Sequence, residues 1–252
     1  GNGSLSDANV ASNKTVSLNT LSIADNSGLA SNYTLTGGTH QLTVNQRPLN
    51  ATLARQYDGT ITSAGSTLSS FDALQGGETL TLSGSGTAAS ANVANGIAMG
   101  SNGDLGLVDG TGLASNYSLN STVINITQRV LNSSGSKTYD ANTNALDANI
   151  TLSNLVTGEA LNHSGTATIS SANAGSYTIS NVTGITIADG SGGTASNYTL
   201  TGGTHNFTVN PKVVSIEGIK TYDGNTTINT SYITAIVDTV GSETLVMSSG
   251  TG

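Results

Sequence analysis

Short runs in which apolar and polar residues alternate recur along the chain. Thr15-Val16-Ser17-Leu18 and Thr79-Leu80-Thr81-Leu82 have the period of two that puts every second side chain on one face of a half-buried strand. The alternation changes phase inside a unit: Val16/Leu18 gives way to Leu21/Ile23, and Tyr177/Ile179 to Ile185/Ile187, which marks a turn or bulge. Asp25-Asn26-Ser27-Gly28, Asp109-Gly110-Thr111-Gly112 and Asp189-Gly190-Ser191-Gly192 supply turn chemistry, because glycine tolerates positive φ and Asx side chains cap local backbone donors. Short strands with turn signals at roughly 8–12-residue spacing predict an all-β chain of sandwiches or small barrels, about seven strands to a unit.

The same signals repeat. Ala-Ser-Asn-Tyr ends at Tyr33, Tyr117 and Tyr198, spaced 84 and 81 residues apart. Tyr57-Asp58-Gly59, Tyr139-Asp140-Ala141 and Tyr222-Asp223-Gly224 follow at 82 and 83, the last two preceded by Lys-Thr and the first by Arg55-Gln56. Glu78-Thr79-Leu80, Glu159-Ala160-Leu161 and Glu243-Thr244-Leu245 keep the same register, each followed by Ser83-Gly84, Ser164-Gly165 or Ser248-Ser249-Gly250, read as turns. Boundaries set before Arg47, Arg129 and Lys212 divide the chain into a partial repeat (1–46), complete repeats at 47–128 and 129–211, and a second partial repeat (212–252). Pro48 and Pro211 stand at two junctions and stiffen them. A period near 82 favours a tandem array of Ig-like β-sandwich units over the alternative, a parallel β-solenoid, whose coils repeat every 20–30 residues or so.

Composition sharpens the class. Only 9% of residues are charged against 35% hydrophobic, with 32 glycines, so the surface is covered by hydroxyl and amide groups rather than by charges. The periodic apolar runs set the chain apart from disordered Gly/Ser-rich sequence. Absence of cysteine excludes disulfides and thiolate sites, and a net charge of -8 disfavours nucleic-acid partners and anionic membranes. No apolar run approaches the length of a membrane-spanning helix, so no membrane insertion is expected. Gly1-Asn2 open in mid-pattern, so the chain reads as an internal or processed piece.

Lys-Thr-Tyr-Asp-Gly, Gly-Glu-Thr-Leu, Ala91-Asn92-Val93 and Ser-Asn-Tyr-Thr-Leu, in that order, resemble the YDG-type and MBG-type repeats of large bacterial exoproteins of the filamentous-haemagglutinin kind. The resemblance covers nearly the whole chain. It departs at Ala141, which replaces the motif glycine, and at Arg55-Gln56, which replaces Lys-Thr. It implies export to the cell surface or extracellular matrix and a stalk or adhesion role, with neighbouring repeats as partners and any host or matrix glycan engaged through other domains.

Candidate chemistry is sparse. The six phase-locked tyrosines (Tyr33, Tyr117, Tyr198, Tyr57, Tyr139, Tyr222) read as core positions with anchored hydroxyls, the Ser-Asn-Tyr set resembling the tyrosine corner of sandwiches, rather than as an aromatic platform for sugars. Asp58, Asp140, Asp223, Glu78, Glu159 and Glu243 are the candidate ligands for Ca²⁺ at a unit interface, set against their reading as turn and strand-end residues, because no Asp-x-Asp cluster occurs. His40, His163 and His205 are scattered, and no nucleophile, base and orienting acid are recognisable, so neither a first-row metal nor catalysis is expected. The expected function is a non-catalytic structural spacer of a surface or matrix adhesin. Its alternatives are a self-associating filament or matrix subunit joined by strand pairing, and a glycan-binding module.

Overall fold

A computed structural model describes residues 1–248 as an all-β chain with short 3₁₀ turns. It separates into two compact units, Gly1–Thr127 and Gln128–Gly252.

The first unit opens with a two-stranded antiparallel pair, β1 (Ala11–Thr15) and β2 (Gln41–Val44). The first complete repeat then contributes β3 (Arg47–Gln56), β4 (Thr62–Ala64), β5 (Leu68–Phe71), β6 (Leu80–Ser83), β7 (Ser85–Ala88), β8 (Ala94–Ser101), β9 (Gly106–Asp109) and β10 (Tyr117–Thr127). Six of these form one sheet in the order β4-β7-β8-β10-β3-β5, while β6 and β9 pair as a separate ribbon. The repeat has eight strands, one more than the periodicity predicts, because the alternation that continues across Ser83-Gly84 is divided there between ribbon and sheet.

The second unit repeats this plan. Its strands are β11 (Arg129–Val130), β12 (Asn132–Thr138), β13 (Asn144–Leu146), β14 (Ile150–Ser153), β15 (Asn162–Ile169), β16 (Gly175–Asn181), β17 (Ile185–Ala188), β18 (Tyr198–Thr199) and β19 (His205–Asn210). The sheet order is β13-β15-β16-β19-β12-β14, with β17 pairing β15 at the ribbon. An antiparallel pair, β20 (Ser215–Gly218) and β21 (Ile233–Val237), closes the described chain.

One pair of neighbouring strands inside each sheet runs parallel. β3 pairs with β10 from Arg47↔Tyr117 to Thr52↔Val123 and on to Gln56↔Thr127, and β12 pairs with β19 from Ser133↔His205 to Thr138↔Asn210. Since parallel neighbours need a long crossover, the body of the repeat serves as the connection between its own first and last strands. The other pairings in each repeat's sheet are antiparallel, so these are curled sheets and not the coils of a solenoid. Pro48 lies inside β3 rather than in a connector. It is tolerated there because β5 pairs only with Ala51–Leu53, so that edge of β3 has no ladder bond to lose.

Burial follows the alternation. Leu49, Ala51 and Leu53 of β3 and Ile124 and Ile126 of β10 are buried in the first repeat. In the second, Phe207 and Val209 of β19 pack with Ala145, Ile150, Ala167, Ile169, Ile179 and Ile185. The turn read at Ser83-Gly84 and Ser164-Gly165 is instead a corner, where the chain passes from ribbon to sheet; β15 runs through it unbroken. Of the third such site, Ser249-Gly250 lies outside the described residues. Val16–Leu18, predicted as strand, contributes only the single bridge Ser17↔Ser4 and lies just beyond β1.

Candidate inter-repeat joint

The Tyr-Asp-Gly segment is a loop built around a cation supplied by the chain itself. Lys137 Nζ donates to Asn142 O at 2.7 Å, Asn142 Oδ1 at 2.9 Å and Asn144 O at 2.8 Å, and pairs with Asp140 Oδ1 at 2.8 Å. Lys220 repeats the pattern on Asn225 O, Asn225 Oδ1 and Thr227 O, each at 2.8 Å, with Asp223 at 2.9 Å. In the first repeat Arg55 takes the place of lysine, bonding Asp58 and Thr60 O. The aspartate also accepts the N–H two residues on, at 3.1 Å from Asn225, and hydrogen bonds from Lys220 and that N–H hold the Asp223 carboxyl below the usual carboxylate range.

The residue after the aspartate adopts positive φ in all three loops: 77° at Gly59, 63° at Ala141 and 75° at Gly224. This conformation favours glycine, and Ala141 occupies it with a Cβ. Ala141→Gly is therefore expected to stabilise the second repeat by about 1 kcal/mol, read as a higher urea midpoint with unchanged slope.

The Ala-Ser-Asn-Tyr segment forms a 3₁₀ turn at Ala30–Asn32, Ala114–Asn116 and Ala195–Asn197. One aspartate caps each: Asp25, Asp109 and Asp189 accept the N–H of Ala30, Ala114 and Ala195 at 2.5, 2.6 and 2.7 Å. These are the aspartates of the predicted turns, and their work is to fix the tyrosine that follows. Tyr117 and Tyr198 are buried. Their hydroxyls accept the N–H of Gln75 (3.2 Å) and Val156 (3.1 Å) and donate to Oε2 of Glu78 and of Glu159, the latter at 2.7 Å. The Glu78 hydrogen bond and burial push the Tyr117 hydroxyl above its ordinary pKa, since both favour the neutral phenol.

Tyr198→Phe strips this arrangement from both sides, removing one hydrogen bond from a part-buried N–H and one from a carboxylate. A loss of about 2 kcal/mol is expected in denaturant unfolding, whereas Tyr33→Phe, at a side chain 71% exposed, should stay within about 0.5 kcal/mol of zero.

Glutamate also reaches across a repeat boundary. Glu243, in the trailing partial repeat, accepts through Oε1 from the Tyr139 hydroxyl of the preceding repeat, which raises the Tyr139 pKa. At the first boundary the contacts come from the other side. The N–H of Val10 donates to Asn116 Oδ1 at 2.9 Å, Asn116 Nδ2 donates to Asn9 Oδ1 at 3.0 Å, and Gln46 Nε2 donates to Ser115 O at 3.2 Å. Gln128 bonds the equivalent carbonyl, Ser196 O, at 3.1 Å and Tyr198 O at 2.9 Å. The basic residues that open the repeats grip a left-handed turn: Arg47 donates to Ala73 O at 2.6 Å and Arg129 to Asn154 O at 2.5 Å.

Grooves mark the boundaries at Arg47 and Lys212. One of about 210 Å³ is lined by Val10, Val44, Arg47, Gln75, Glu78 and Tyr117. Another of about 520 Å³ is lined by Tyr139, Ala174, Lys212, Val240, Glu243 and Leu245.

The tyrosine positions therefore differ in fate. Tyr57, Tyr117 and Tyr198 are buried and Tyr139 is half-buried, but Tyr33 and Tyr222 are 71% and 94% exposed. The core reading does not extend to those two: Tyr117 packs with Leu49 and Leu80 of its own complete repeat, and neither partial repeat holds the full set of strands among the described residues. The carboxylates proposed for Ca²⁺ are held by other partners: Asp58, Asp140 and Asp223 by a basic side chain three residues earlier, and Glu78, Glu159 and Glu243 by tyrosine hydroxyls. Among the described residues no three His, Cys, Asp or Glu side chains gather as a metal site. His205 is buried between Ser133 Oγ (2.9 Å from Nδ1) and Leu200 O (2.8 Å from Nε2), and His40 repeats the second contact on Leu35 O at 2.8 Å. The Tyr–Glu pairing escaped the sequence reading, although its signal is present: glutamate and tyrosine stand 39 residues apart in both complete repeats.

A family model described as the YDG domain matches residues 39–124 and again 125–206. No curated protein and no solved structure matches the chain.

Proposed function

The chain belongs to the YDG domain family, and from the way its two tandem copies are threaded we propose that it is a non-catalytic spacer segment in the stalk of a secreted bacterial surface or matrix adhesin. One observation carries this reading: the first and last strands of each repeat are parallel neighbours. The chain therefore enters a repeat at one end of the sheet and leaves at the other, so that every repeat advances it by the length of this parallel pair. For the ten residues of β3 that is roughly 33 Å, from a rise near 3.3 Å per residue. A repeat whose outer strands ran antiparallel would return the chain to its starting end.

The motif residues support the same reading, because they are used to hold loops and join neighbours. Tyr139 and Glu243 bond across one boundary, and Asn9 and Asn116 across another. A sparsely charged surface rich in hydroxyl and amide groups suits a hydrated extracellular spacer, and the resemblance to filamentous-haemagglutinin-like exoproteins supports the same reading. Small-angle scattering on the chain and on a version with residues 129–211 excised in register tests the proposal. The maximum dimension should fall by roughly 30 Å. A fall of about 10 Å or less would mean that repeats lie side by side, and the spacer reading would be lost.

A further inference from the structure

We infer that each complete repeat bears load, and that its parallel strand pair is a shear clamp which holds against tension applied between the repeat's two ends. A stalk transmits pull along its chain, so this role rests on the spacer reading, whereas the clamp itself rests on strand pairing. In the first repeat tension enters at the start of β3 and leaves at the end of β10. These strands are hydrogen-bonded neighbours running in one direction, paired from Arg47↔Tyr117 to Gln56↔Thr127 with one bulge between Leu119 and Ser121. Pull on the two ends therefore draws β3 and β10 past one another along their own axes. The hydrogen bonds of a parallel ladder are evenly spaced and cross from strand to strand, so sliding loads them together. If the two strands were antiparallel, the same pull would open the ladder from one end, bond by bond.

The rest of the repeat is arranged to protect this pair. Strands β4 to β9 lie between β3 and β10 in the chain, so they carry tension only after the clamp has failed. The ladder is closed at its far end by the Tyr57 N–H, which donates to Thr127 O at 2.9 Å, and the Tyr139 N–H repeats this on Asn210 O at 2.8 Å. Water competes for a hydrogen bond as it stretches, and it is kept from the middle of the clamp on both edges and on the inner face. β5 pairs with β3 over residues 51–53 and β8 with β10 over residues 123–126, while Leu49, Ala51, Leu53, Ile124 and Ile126 are buried. The second repeat keeps the design: β12 and β19 pair from Ser133↔His205 to Thr138↔Asn210, flanked by β14 and β16, with the short parallel pair of β11 and β18 ahead of them.

Single-molecule force spectroscopy on the full chain tests the clamp, with cysteine pairs as handles, since the sequence contains no cysteine of its own. Asn45→Cys with Thr127→Cys pulls β3 and β10 in shear. Asn45→Cys with Ser115→Cys peels the same strands apart from their shared starting end, and all three positions are exposed. Survival under force is set by the unfolding barrier along the direction of pull, and both handle pairs load the same fold, so a difference between them reports direction alone. The shear pair should break at a several-fold higher force than the peeling pair, in one event that releases roughly 250 Å of chain at about 3.3–3.6 Å per residue. Equal rupture forces, or a shear pair that lengthens in small steps at low force, would overturn the inference. The force difference within one repeat does not depend on the length that a repeat adds in scattering, so failure of the clamp and failure of the spacer reading are told apart.

Discussion

Phe207→Ala is expected to destabilise the second unit by about 3–5 kcal/mol, the range for emptying an aromatic site in a core that cannot collapse around it. The ring is 1% exposed and packs against Ile150, Ile169, Ile179 and Ile185. Collapse is hindered from below, where its parallel partner is Gly135, a residue with no side chain to advance into the space. A Cβ at Gly135 would come 2.3 Å from Asn149 O as well as meeting the ring, so the backbone there is already in close contact with its neighbour. The first repeat divides the same volume differently, with Leu53 opposite Ile124, both fully buried. Ile124→Ala leaves Leu53 free to lean across and is expected to cost less, at about 2–3 kcal/mol. Urea unfolding of the two variants, followed by tyrosine fluorescence, makes the comparison; equal losses would mean that the glycine plays no part in holding the cavity open.

That contrast shows what a sequence of this kind reveals and what it conceals. Alternation and the near-82-residue period expose the strand class and the repeat, because both are local in the chain and a three-times-recurring marker stands out even against biased composition. Pairing is not local. Nothing in Arg47–Gln56 announces that its neighbour is Tyr117–Thr127, some 70 residues on and parallel, and a reader of turn signals expects hairpins between successive strands. The same limit applies to the joint. Asp140 and Lys137 lie three residues apart, so the cation at the centre of the loop could be inferred from Lys-Thr-Tyr-Asp, yet a recurring aspartate in a turn suggests calcium first. Glu159 and Tyr198 meet only because the sheet brings a ribbon end beneath a 3₁₀ turn, and their fixed separation becomes meaningful once that fold is known. Exposed Tyr33 and Tyr222 mark the opposite failure, since a motif assigns a residue type to a position but cannot supply the strands that bury it.

The largest effect outside the core is expected at the corner between ribbon and sheet. Gly165 sits at φ 111°, a conformation L residues rarely adopt, and a Cβ there would lie 2.1 Å from Gly184 O. The obstruction is reciprocal, as a Cβ on Gly184 would lie 2.0 Å from Thr166 O. Both obstacles are backbone atoms, one closing the 3₁₀ turn Val182–Gly184 and the other within β15, which cannot rotate aside as a side chain could. Gly84 and Gly103 make the same crossed pair in the first repeat, at φ 79° and 55°, with contacts of 2.2 Å to Asp104 O and 2.3 Å to Ser85 O. Two backbones pass so closely here because one strand must leave the ribbon and join the sheet within a single residue, and a normal Cβ would force the ladders apart. Gly165→Ala combines dihedral strain with this collision, so a loss of about 4 kcal/mol is expected, against about 1 kcal/mol for Gly202→Ala, where positive φ is the only penalty and nothing lies within 4 Å. Thermal unfolding of the two variants separates these contributions. Matching losses would show that the strands part readily at the corner, and that the glycine is kept for its dihedral alone.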